Sequence, residues 1–146
     1  MSRNFENQFS RLQADMVSVC LEYGGRMCEQ VYIHIICEND SIFTNFFFRA
    51  GGIMIKKSKL NGASKDISFG RQKAALSFIA KYVEEIIKLC AECSQPVPSE
   101  FRLVYDVGTG SLKADYGYGP VTSLERTDRV VSDAWFSQLE NNICTR

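Results

Sequence analysis

Histidine is almost missing from this chain of 146 residues: His34 is the only one, just as Trp135 is the only tryptophan. A Ser–His–Asp triad or a Cys–His dyad would have to use that one imidazole. It stands inside the apolar run 31–37, where the pattern reads it as a strand histidine rather than a base. Net charge is missing too. Seventeen Lys plus Arg balance seventeen Asp plus Glu, which excludes a surface coated in positive charge for non-specific nucleic-acid binding. Long apolar runs are absent, since the longest are interrupted by His34 or Arg49, far short of the roughly 20 residues of a membrane helix. The segment 1–8 has no apolar core of a signal peptide. The expectation is a cytoplasmic protein with no membrane partner. Disorder is excluded by 45% hydrophobic and 23% charged residues, and the length suits one domain spanning 1–146.

Cofactor and metal signatures are also lacking. The sequence holds neither a Walker A motif nor a G-x-G-x-x-G after a strand. The pair Gly108 and Gly110 joins two strands and opens no helix, so it makes no phosphate cradle. Six cysteines are present: Cys20, Cys28, Cys37, Cys90, Cys93 and Cys144. They are too sparse for a disulfide scaffold, which needs about 8–10%. Cys90-x-x-Cys93 has no second pair to complete a zinc site. It falls at the C-terminal end of a predicted helix, where the dipole disfavours a thiolate. Reduced, mostly buried thiols are expected, with no catalytic, cofactor or metal-ligating residue.

What is present is a clear alternation of periodicities. Phe5, Phe9, Leu12, Met16, Val19 and Tyr23 step by three and four, the stripe of an amphipathic helix, which Gly24-Gly25 ends. Residues 31–37, 42–49 and 53–57 are rich in β-branched and aromatic side chains and are separated by short polar or glycine turns. They read as an antiparallel meander. Residues 61–64 read as loop, and the chain stays irregular to Gly70. A long helix follows, with Leu76, Ile79, Val83, Ile86 and Cys90 in register, widened by Ile87 and Leu89 and stopped by Pro96 and Pro98. Phe101, Leu103, Tyr105 and Val107 alternate with polar residues, turn at 108–111, and return as Leu112, Ala114, Tyr116 and Tyr118. Val131, Trp135 and Leu139, four apart, mark a last amphipathic helix with Trp135 as core anchor. The order α-β-β-β-α-β-β-α, without a βαβ crossover, predicts an α+β fold: one antiparallel sheet of about five strands with helices packed on it.

Two charge patterns bear on function. Asp106 and Asp115 flank the predicted hairpin on the polar side, where they could approach as an acid–base pair on a solvent-facing surface. Residues 49–73 carry Arg49, Lys56, Lys57, Lys59, Lys65, Arg71 and Lys73 against Asp66 alone, a local charge of +6 that leaves −6 elsewhere. That segment supports an alternative reading as a nucleic-acid-binding module. The neighbouring Phe43, Phe46, Phe47 and Phe48 fit both faces of a covered strand better than an exposed stacking platform.

The order of elements, the hairpin 101–118 with its Asp115-Tyr116-Gly117-Tyr118 end, and the helix 126–135 ending in Trp135 resemble the YezG-like family of bacterial immunity proteins. The resemblance spans most of the chain as an arrangement, and its specific residues lie in about the last third. It implies a non-catalytic, cytoplasmic inhibitor that neutralises the C-terminal domain of a secreted polymorphic toxin, of nuclease type, and does not itself contact nucleic acid. Carboxylates that imitate phosphates suit a basic nuclease groove, and buried aromatics anchor such interfaces. On that basis the contact residues are Asp106, Asp115, Tyr116 and Tyr118 on the hairpin, then Glu125, Asp128 and Asp133 at the start of the last helix.

Overall fold

The structure is a computed structural model and describes residues 3–60 and 69–144. The loop expected at 61–64, and Lys65 and Asp66 of the basic segment, lie outside the described residues. The order of elements is α1 (Arg3–Tyr23), β1 (Gln30–Glu38), β2 (Ser41–Ala50), β3 (Ile53–Lys56), α2 (Phe69–Glu92), β4 (Glu100–Asp106), β5 (Ser111–Gly117) and α3 (Asp128–Cys144). All pairings are antiparallel, and the five strands lie in the order β3-β2-β1-β4-β5. This is the predicted α+β fold.

Two tight turns build the meander. Asn39 and Asp40 between β1 and β2 have φ of 54° and 60°, and Gly51 and Gly52 between β2 and β3 have 62° and 79°. Two successive positive-φ residues match the right-handed twist of the flanking strands, and Gly, Asn and Asp adopt that conformation most readily.

One face of the sheet presents Val31, Ile33, Ile35, Phe46, Phe48, Phe101 and Leu103 to α1 and α2, and all seven are buried. In α2 the predicted residues Ile79, Val83, Ile86 and Cys90 are buried, joined by Ala75 and Leu89, while Leu76 is half-buried. In α1 the buried face is Phe5, Gln13, Met16, Val17, Cys20 and Tyr23, so the expected stripe is rotated and Phe9, Leu12 and Val19 are only half-buried. Polar Gln13 can turn inward because its carboxamide meets the Tyr116 hydroxyl with two hydrogen bonds. Nε2 donates at 2.6 Å, and Oε1 accepts at 3.0 Å. Tyr23 closes the other end, with its hydroxyl donating to the Lys57 carbonyl at 2.8 Å and its ring edge-on to Phe46.

The opposite face, expected to look onto solvent at the Asp106–Asp115 hairpin, is covered over its β1–β2–β3 part by α3, in keeping with a phenylalanine run that fits both faces of a covered strand. Tyr32, Phe47 and Met54 form a second apolar cluster with Trp135 and Phe136. Trp135 is the predicted core anchor, meeting Phe47 at 5.3 Å, Tyr32 at 5.9 Å and His34 at 5.0 Å between ring centroids. The physical reason is that β1 and β2 carry large apolar side chains on both faces, which a one-sided sheet would leave in water. Thr127, just ahead of α3, receives the Val130 N–H on its hydroxyl at 3.4 Å and the Val131 N–H on its carbonyl at 3.0 Å, a cap that starts the helix. Among the described residues no helix is long and apolar enough to cross a membrane.

Candidate partner-binding surface

The structure divides the seven predicted contact residues into separate places. On the hairpin, Asp106 and Asp115 share a face but not a site. Asp106 pairs with Ser111 at the turn, whereas Asp115 pairs with Arg102. Four strand positions therefore separate them, about 13 Å along the sheet, so the sequence expectation of a close pair is corrected. The strand register, which places them at different distances from the turn, is the cause. Asp106 is half-buried, and its carboxylate is held below the ordinary range first by the Thr109 N–H, which donates at 3.0 Å, with Gln30 Nε2 adding a longer bond at 3.4 Å. Its evident work is to close the turn. Asp115 is exposed.

Tyr116 is partly core and partly surface. Its ring lies edge-on to Phe9 and to Phe101, both at 5.6 Å, and burial pushes its hydroxyl pKa up to about 12, yet 40% of the residue is exposed. Tyr118 lies past the end of β5 and is 60% exposed, so it does not continue the apolar face as its spacing suggested. The strand stops at Gly117, and the chain turns at Gly119 with φ of 90°. The two tyrosines form, with Phe5, Phe9, Pro96 and Pro98, the walls of a shallow cleft of about 250 Å³. β5 is the outermost strand of the sheet, so its outer backbone edge meets no further strand among the described residues.

The remaining three candidates lie elsewhere. Glu125 is exposed in the connection before α3 rather than in the helix. Asp128 is the first residue of α3, where a carboxylate complements the positive end of the helix. Asp133 is exposed one turn further on and lines a cavity at the β2–β3 edge, the far side of the sheet from β5.

Two polar features escape sequence reading. His34 is fully buried, and its Nε2 lies 2.6 Å from Glu100 Oε2, which also accepts from Arg102 Nε at 3.0 Å. The Arg102 guanidinium covers the face of Trp135 at 5.2 Å. Burial lowers the His34 pKa against the opposing pull of Glu100. Burial alone would raise Glu100, but the bonds from His34 and Arg102 outweigh it and hold the carboxyl low. A neutral imidazole donating to an ionised carboxylate follows. The second feature is Glu38, whose carboxylate accepts the Val121 N–H at 2.6 Å, the Thr122 N–H at 2.9 Å and the Thr122 hydroxyl at 2.6 Å. It thereby ties the long connection between β5 and α3 to the end of β1. Neither feature has a sequence signal, because each joins residues more than sixty positions apart.

Of the basic segment, Arg49 pairs with Glu29 at 3.3 Å, while Lys56, Lys57 and Lys73 line the same cavity as Asp133, together with Arg129. Phe46, Phe47 and Phe48 are buried, so they offer no stacking platform. Cys20, Cys28 and Cys90 are buried and free, and Cys37 and Cys93 are free and half-buried. Among the described residues no group of three or more His, Cys, Asp or Glu is placed to hold a metal ion.

No protein-family model matches the chain, and no curated protein matches it.

Proposed function

We propose that this protein is an inhibitor that binds and neutralises the C-terminal toxin domain, of nuclease type, of a secreted polymorphic toxin, acting by steric and electrostatic blockade. The observation that carries the reading is the outer edge of the hairpin. An open-edged strand presents exposed Asp115, Tyr116 is half in the core and half in contact with solvent, and Tyr118 stands exposed just beyond. Large aromatics that are rigidly backed on one side and open on the other are what protein interfaces use as anchors. Tyr116 is held by Gln13, Phe9 and Phe101, so little conformational freedom is lost on binding. Asp115, exposed on the opposite face of the same edge strand, adds charge complementary to a basic substrate groove. The likeness of the hairpin and last helix to YezG-like immunity proteins supports the same reading.

This reading predicts a toxin gene immediately upstream, and the test is co-purification with the C-terminal domain that gene encodes. The expected result is a stable one-to-one complex that Tyr118→Ala and Asp115→Lys weaken. A folded protein that forms no complex with that domain overturns the reading.

A further inference from the structure

We propose that the cavity at the β2–β3 edge is a binding site for a small phosphate-bearing molecule of nucleotide size. It lies at the opposite edge of the sheet from the tyrosine cleft and goes beyond the inhibitor reading. Its origin is a mismatch of strand lengths. β3 pairs only with Phe47–Ala50, whereas β2 begins at Ser41, so β2 continues past the end of β3 with no strand beside it among the described residues. The helices α2 and α3 stand on either side, with Gln72 in the first turn of one and Arg129 in the first turn of the other. The result is a cavity of about 510 Å³ floored by consecutive β2 residues, within the range of small-molecule sites.

Among the described residues its charge is uncompensated. Lys56, Lys57, Lys73 and Arg129 face a single carboxylate, Asp133, four cations against one anion and so a net +3. None of the five takes part in an ion pair among the described residues. Lys57 is half-buried. Its ammonium donates to Asn45 Oδ1 at 2.6 Å, and that oxygen also accepts the Phe46 N–H at 2.9 Å, so the amine is fixed against the sheet edge. An ammonium has three donors, and this bond uses one. Burial and the nearby Arg129 and Lys56 lower the Lys57 pKa, with Asp133 opposing. A multivalent anion in the cavity relieves that repulsion, which a single carboxylate of a partner protein would do only in part.

The walls also suit the body of such a ligand. Half-buried Phe43 and Leu76 give an apolar surface, and Lys56 lies over the Phe136 ring at 5.4 Å. A volume of about 510 Å³ suits one nucleotide unit rather than a continuous strand of nucleic acid.

The experiment is calorimetric titration of the full chain with ADP and with inorganic pyrophosphate at low salt, with NMR mapping of the Thr44–Phe47 amides. Saturable binding is expected, tighter for ADP, with shifts at those amides. Lys73 and Arg129 are exposed, so the double variant Lys73→Ala/Arg129→Ala leaves the fold intact and is expected to weaken binding at least tenfold. The equally charged change Lys88→Ala/Lys113→Ala, away from the cavity, leaves binding unaltered. No saturable binding of either probe, or equal loss in both double variants, overturns the site. Pyrophosphate binding as tightly as ADP overturns the nucleotide-sized ligand, and retention of a single-stranded oligonucleotide alone overturns it in favour of a polymer.

Discussion

His34 Nε2 lies 2.6 Å from Glu100 Oε2, across the pairing of β1 with β4 and beneath the only tryptophan. Arg102 shares the same carboxylate oxygen, and on the other side of His34 stand Asn45 of β2 and Ser132 of α3, both uncharged and bonded to each other at 3.0 Å. His34 Nδ1 is buried with no hydrogen-bond partner among the described residues, so a second proton there would have no acceptor among them.

Stability therefore falls as acid is added. The folded His34 pKa lies below its unfolded value of about 6.5, so the unfolded chain binds the proton first, and stability is lost as pH falls from that value through the folded one. Because this is the only histidine, urea unfolding at pH 7.5 and pH 5.5 isolates the effect. His34→Phe is expected to flatten the difference between the two pH values. An unchanged difference in the variant would assign the acid sensitivity to carboxylates instead.

Phe101 lies on the helix-covered face, fully buried and packed against Phe9 and Tyr116. Phe101→Ala is expected to destabilise the fold by about 3–5 kcal/mol, read from the urea midpoint at constant slope.

Glu38 holds the β5–α3 connection through three hydrogen bonds, and its pKa is lowered first by the Thr122 hydroxyl and then by the Val121 amide. Glu38→Gln keeps the shape and removes the charge. The expected outcome is faster hydrogen exchange at the Val121 and Thr122 amides, with α1 and α2 unaffected.

The thiols give a further check on packing. Burial pushes Cys20 far above the usual thiol range and Cys37 up to about 11. At pH 8, Cys20, Cys28 and Cys90 are expected to resist a disulfide reagent until the chain unfolds, since access and thiolate formation are both suppressed. Prompt reaction of Cys20 in the native protein would contradict the packing of α1 on the sheet.

Most of the scaffold is legible in the sequence because helix and strand periods are local properties. The steps of three and four in α2, the Gly51-Gly52 turn and the alternation from Phe101 to Tyr105 each announce an element within a few residues. Less was legible where distant partners decide. Gln13 is buried only because Tyr116 receives it, and that α3 covers the second apolar face becomes evident only when Tyr32, Phe47 and Trp135 meet. The placement of β1 beside β4 has no local signal, and it is what brings Glu100 to His34. The candidate contact residues show the same limit. Asp115, Tyr116 and Tyr118 fall together at one edge, while Asp133 is carried to the other by the path of α3, where it and Arg129 of the same helix meet cations from two further parts of the chain.

The most direct test of the inhibitor account is a nuclease assay of the upstream-encoded toxin domain, titrated with this protein and with its Tyr116→Ala/Tyr118→Ala variant. The account predicts stoichiometric inhibition by the native chain, and a loss of at least tenfold in potency for the variant while its unfolding remains cooperative. Full toxin activity in the presence of excess folded native protein would contradict it.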